Sequence, residues 1–217
     1  MLSRLPKWVE YGAFLLALVA GSVNAVALLG FQHQAVSHLS GTATLLGSAL
    51  LTPNPETLLH LFGILLSFLF GSAFSGFTLS GTSLKLGRLY DVLLFIEAIF
   101  LLISMYLLLN GQTSGHYFAS AACGLQNALA TTYSGAVVRT THLTGIFTDL
   151  GIMLGGALQG KALDKRKAFL FIVIVVGFIT GGVLGAWLFY QLGFWALSVP
   201  AVICFILAIV YRLYSSR

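Results

Sequence analysis

The sequence predicts an all-α fold: a polytopic helical membrane protein of six transmembrane helices plus two short re-entrant half-helices, arranged as an inverted-topology internal repeat. Three observations predict it. The 217 residues are 58% hydrophobic and only 8% charged, with mean hydropathy +0.96, whereas soluble domains carry roughly 25% charged residues. One polar phrase occurs twice. From His38 the chain reads HLSGTATLLG and from His142 it reads HLTGIFTDLG, with six of ten positions identical. Finally, the basic residues fall in short stretches between apolar runs, where they report orientation rather than nucleic-acid binding.

Eight apolar segments follow in order: Tyr11–Phe31, Val36–Leu51, Thr57–Gly81, Tyr90–Leu109, Tyr117–Val138, Leu143–Leu158, Ala168–Tyr190 and Phe194–Tyr211. The first follows a basic start and resembles a secretory leader. Its hydrophobicity runs past Asn24 and the region recurs later, so it reads as a retained span. At about 20 residues per crossing the chain leaves no room for an extramembrane domain. Residues 1–217 therefore form a single membrane domain of two repeats, 11–109 and 117–212. Cys123 and Cys204 lie in apolar runs without metal or redox spacing and read as small buried residues.

The repeat extends beyond the phrase. Gly21, Asn24 and Ala25 recur 103 residues later as Gly124, Asn127 and Ala128; His38, Gly41, Thr44, Leu46 and Gly47 recur after 104 as His142, Gly145, Thr148, Leu150 and Gly151. In the third segment Gly63, Ser67, Gly71 and Ser75 fall on one helical face, as do Gly177, Gly181 and Gly185 in the seventh. Small residues at this spacing let helices approach closely in lipid.

Segments two and six, which carry the phrase, are the short ones. If all eight segments cross, Lys and Arg fall on both faces. If those two instead return to the side they came from, all 11 basic residues lie on the cytoplasmic side with both termini. The two halves are then inverted, and the short segments enter from opposite faces and meet tip to tip around one site. The competing reading is a bundle of ordinary short helices whose histidines bond to neighbours.

The phrase suits a binding site. Ser40 and Thr144 are candidate N-caps. Gly41 and Gly145 allow close backbone approach, and Thr44 and Thr148 supply hydroxyls. Half-helix N-termini beside His38 and His142 favour an anion or a polar group. Asn24 and Asn127 either contact the solute or pin the re-entrant loops. Glu97 and Asp149, in apolar surroundings, are the proton-coupling candidates, although Asp149 also suits the first turns of its half-helix. Arg139 reads as a topology anchor. His33, His60 and His116 fall at the outer surface without an assigned role.

The phrases GSVNA, SHLSGTATLLG, GLQNA and LTGIFTDLG across six apparent spans resemble the YoaK-type family of uncharacterised bacterial transmembrane proteins. That family typically reads closer to SHMTGN in the first phrase and often has Asp within the preceding GxxDA, where this chain has Thr42 and Asn24. The resemblance implies a bacterial inner-membrane protein and supplies no substrate. The function expected is a transporter or channel for a small solute, with the bilayer and that solute or ion as partners and a homo-oligomer as a further option. No cofactor, metal or nucleic acid is expected. The alternatives are a membrane-embedded enzyme, against which stands the absence of HExxH, CxxC and GxSxG, and a non-transporting assembly partner.

Overall fold

The computed structural model describes residues 8–30, 36–51, 54–79, 89–134 and 138–215. Arg4, Lys7, Lys85, Arg88 and Arg217, five of the residues that oriented the sequence reading, lie outside them, as does His33. Eight α-helices are present among the described residues: α1 (Trp8–Gly30), α2 (Leu39–Ala49), α3 (Pro55–Thr78), α4 (Tyr90–Leu109), α5 (Gly115–Ser134), α6 (Leu143–Leu158), α7 (Lys165–Leu192) and α8 (Ser198–Ser215). A 3-10 turn (Gly193–Leu197) joins α7 to α8, and Gly193 takes φ +59 at the junction. No strand occurs in these residues.

Among the described residues, four stretches are long and apolar enough to cross a bilayer: Val9–Gly30, Pro55–Thr78, Tyr90–Leu109 and Lys165–Tyr214, the last covering α7 and nearly all of α8. The outward faces suit lipid. On α3, Phe62, Leu66, Leu69, Phe70 and Phe77 are all exposed. The fifth helix is as long as α4, at 20 residues, but is richer in Gly, Ser, His and Gln. It is buried along most of its length, so it has no need of an apolar face towards lipid.

Two helix pairs dominate the packing, α1 with α7 and α3 with α5. Glycine makes both possible. A methyl at Gly181 would collide with the carbonyl oxygen of Leu18, and one at Gly21 with that of Phe178. In the other pair, a methyl at Gly71 would meet the carbonyl of Ala121, and one at Gly124 that of Phe68. The contacts are reciprocal. Moving 103 residues along the first helix of each pair and 110 along the second maps Gly21 and Phe178 onto Gly124 and Phe68, and Leu18 and Gly181 onto Ala121 and Gly71.

Contact order along the chain gives helix direction. Gly177, Gly181 and Gly185 face Phe14, Leu18 and Ser22 in turn, so α1 and α7 run parallel. Gly63 meets Tyr117 while Ser72 bonds to Gly124, so α3 and α5 are parallel too. Ser104 bonds to Gly115 while Tyr90 stacks on Tyr133, which sets α4 antiparallel to α5. Phe95 against Phe205 and Asp91 against Arg212 set α4 antiparallel to α8.

Leucine at either close crossing cannot be accommodated by a side-chain shift, because backbone is what it meets. Gly71→Leu and Gly181→Leu should each destabilise by about 3 kcal/mol or more. Gly76→Leu, with nothing within 4 Å of its added carbon, should stay within about 0.5 kcal/mol. Unfolding of the purified protein in detergent measures all three.

Candidate functional site

The two repeated phrases form the starts of α2 and α6, and each is reached through a buried, non-helical approach. Val36 and Ser37 are buried before α2; Val138, Thr140 and Thr141 are buried before α6. Irregular backbone is tolerable in a hydrophobic interior only when its polar groups are satisfied, and here α5 does most of that. Ser120 donates to the carbonyls of Val36 (3.2 Å) and Ile64 (2.9 Å). Gln126 donates from Nε2 to Leu16 O (2.8 Å) and to Thr140 Oγ1 (2.9 Å), tying α1, α5 and the second approach together. The Ser134 hydroxyl accepts from Val138 N (2.8 Å) and donates to Ala130 O (2.8 Å).

Asn24 acts as a pin. Its Oδ1 accepts the Ser37 hydroxyl at 2.8 Å across buried space, which fastens the first approach to α1. Its counterpart Asn127 is half-buried on α5, and its Oδ1 has no hydrogen-bond partner. The two asparagines are thus equivalent by sequence and unequal in bonding.

Helix α2 begins at Leu39 and α6 at Leu143, so His38 and His142 are the N-caps; neither makes a side-chain capping bond. This corrects the expectation that Ser40 and Thr144 cap these helices. Those residues sit inside the first turn, and their carbonyls accept the Thr44 and Thr148 hydroxyls, each at 2.9 Å. The threonine protons are therefore spent within the helix, identically in both halves. The half-buried His38 ring lies 5.6 Å from that of Phe178, whose carbonyl faces Gly21. His142 is exposed and its ring folds over Gly145, where a side chain would collide with it. Gly41 has open space around it.

Helix α2 packs on α3 and α6 on α7, and Ser40, Gly41, Thr44, Thr144 and Thr148 all lie on exposed faces. The structure gathers Asn24 with Ser37, and His38 with the α1–α7 crossing.

The carboxylates divide sharply. Glu97 is 1% exposed, hydrogen-bonded to Cys204, and its Oε2 has no partner. It sits where α4 crosses α8. Asp149, by contrast, has a side chain 45% exposed and pairs with Lys167 Nζ at 3.3 Å. It lies in the second turn of α6. Sequence reasoning missed Asp91, buried at the start of α4 and paired with Arg212 at 3.0 Å. Its place at the edge of an apolar run hid it. The His116 ring, given no role by the sequence, is 1% exposed. His116 Nδ1 lies 3.3 Å from His60 Nε2, and His60 Nδ1 lies 3.1 Å from the Tyr117 hydroxyl. Arg139 is exposed, as an anchor should be.

Removing one partner of a buried amide network leaves the others unsatisfied. Gln126→Leu should cost about 2 kcal/mol, because Leu16 O loses its added donor and Thr140 is stranded at 0% exposure. Thr148→Val, on the exposed face, should cost under about 0.5 kcal/mol. Denaturant unfolding of the two variants in detergent gives the comparison.

No curated protein matches the chain, and no solved structure does. A family model does, over residues 12–210, which takes in α2 to α7 and most of α1 and α8 and agrees with the resemblance at the level of an uncharacterised family. The chain belongs to the family described as protein of unknown function (DUF1275).

Proposed function

We propose that this chain is a six-span transporter built of two inverted repeats, that it moves a small solute across a bacterial inner membrane with both termini cytoplasmic, and that it is not an enzyme. The observation that carries this reading is the reciprocal packing of α1 on α7 and α5 on α3. Each repeat gives its first helix to the third helix of the other, through equivalent glycines. Helix directions fit this plan: α1 is parallel to α7, α5 is parallel to α3, and α4 opposes both α5 and α8, relations that six and eight crossings share. Inverted repeats with broken helices at the repeat interface are a recurrent plan of transporters.

The apolar clusters support six crossings rather than eight. Val9 and Ala13 at the start of α1 pack with Ala130 near the end of α5 and Leu170 near the start of α7. Six crossings put those three ends on one face. Eight crossings put the end of α5 on the opposite face from the start of α1.

Glu97 is the coupling residue in this reading. A carboxyl buried at a helix crossing, with one oxygen unpartnered, is expensive to keep and is well placed to take up and release a proton as the crossing rearranges. Asp149, already paired with Lys167 at the surface, is not given this role. The anion preference expected from opposed half-helix N-termini is likewise not carried forward, because α2 and α6 are held on α3 and α7 rather than on each other.

Proteoliposomes with an entrapped pH indicator test the proposal. Candidate solutes are added outside, one at a time, with each solute also followed by isotope label. At least one should enter wild-type vesicles together with protons. Glu97→Gln should lose the proton signal while retaining exchange of the labelled solute. Solute entry without proton movement in the wild type would mean a passive channel, and no entry of any solute would favour an assembly partner.

A further inference from the structure

A cavity of about 530 Å³ lies between α1, α4, α5 and α8, at the end of the bundle where α1 begins and α8 finishes. That volume is in the range of small-molecule sites. The lining is almost wholly apolar and carries Tyr11, Tyr90, Tyr133, Tyr211 and Tyr214. The Tyr90 ring meets Tyr133 edge-on at 5.6 Å and Tyr211 at 5.8 Å. The Tyr211 hydroxyl is buried and has no hydrogen-bond partner. The nearby charges of Asp91 and Arg212 are spent on each other at 3.0 Å.

The repeat supplies a comparison for this cavity within the same molecule. Gly12, which lines it, corresponds at the 103-residue offset to Gly115. At Gly115 an added carbon would crowd Leu108 and stand 2.9 Å from Ser104 O; at Gly12 nothing lies within 4 Å. The junction of the same four helices at the opposite end is filled by Ala27, Leu101, Ala119, Leu197 and Ala201. Equivalent sequence positions are therefore sealed at one end and open at the other. The short turn between Leu109 and Gly115 clamps α4 on α5 at the sealed end.

We propose that this cavity binds a neutral, mainly apolar molecule with a flat ring system, the ring lying among the tyrosines. Tyrosine faces and edges favour an aromatic body. A charged molecule would lose its hydration without a counter-charge to replace it. The site does not depend on the transport reading, since binding is measurable on the purified protein whether or not a solute crosses.

The test uses 5-fluoroindole as the probe, followed by fluorine NMR with the full-length protein in detergent. Saturable binding that unlabelled indole displaces is expected in the wild type and in Gly12→Ala. Gly12→Phe starts in open space, with nothing within 4 Å of its added carbon, and should abolish binding while keeping the wild-type unfolding midpoint. Tyr211→Phe removes a hydroxyl with no accessible surface and should bind as the wild type does. Absence of saturable binding to the wild type would overturn the proposal, as would unchanged binding in Gly12→Phe. Displacement by indole-2-carboxylate as effective as by indole would overturn the preference for a neutral ligand.

Discussion

The close approach of backbone to backbone at two helix crossings is the constraint on which the rest of this molecule depends. Leu18 against Gly181 and Ala121 against Gly71 leave no room for a Cβ. In lipid, where burying apolar surface provides no net drive between helices, such contact is a main source of association. Each crossing joins the first helix of one half to the third helix of the other. Neither half can therefore reach its packed form without its partner. The α4–α8 crossing then closes the bundle, with Glu97 bonded to Cys204 at its centre.

Close packing of long helices would leave the approaches to α2 and α6 with unmet polar groups. The side chains of α5 meet them. Ser120 serves the first approach and Gln126 and Ser134 the second, while Asn24 on α1 fastens Ser37. This explains why the fifth helix is the least apolar of the long ones and also the most enclosed. It is the internal post around which both irregular segments are bonded. The repeat is not perfect at this level: Asn24 is engaged while Asn127 keeps an unbonded oxygen, and Gln126 falls where the first half has Val23.

Much of the helical plan was legible in the sequence because lipid imposes it. The segments Tyr90–Leu109 and Leu143–Leu158 coincide with α4 and α6, since Leu89, Asn110, His142 and Gln159 mark abrupt changes in apolar content. The glycine stripes were legible because collision with backbone leaves no substitute for glycine or serine. The bonding was less so. A serine at 120 in an Ala-rich stretch reads as one more small residue, and only the tertiary placement of Val36 shows its use. Asp91 looked like the edge of an apolar run until Arg212 arrived from 121 residues away. Ser40 and Thr144 had the chemistry of caps, but the buried approaches end two residues earlier, so the helices start at Leu39 and Leu143. Which neighbour each short helix leans on, α3 for α2 and α7 for α6, was not legible, because spacing along the chain fixes depth and says nothing of lateral packing.

Inversion of the two halves is the central claim, and thiol accessibility in intact cells tests it most directly. Single cysteines at Glu56, in the first turn of α3, and at Lys161, before α7, lie at exposed places in the corresponding stretches of the two halves. Neither disturbs the Asn54 cap or the positive φ of Gly160. The native Cys123 and Cys204 are buried and serve as silent controls. The account predicts that an impermeant maleimide labels position 56 and spares position 161 until the membrane is opened. Labelling of both positions in intact cells, or of neither, would put the two halves in the same orientation and contradict it.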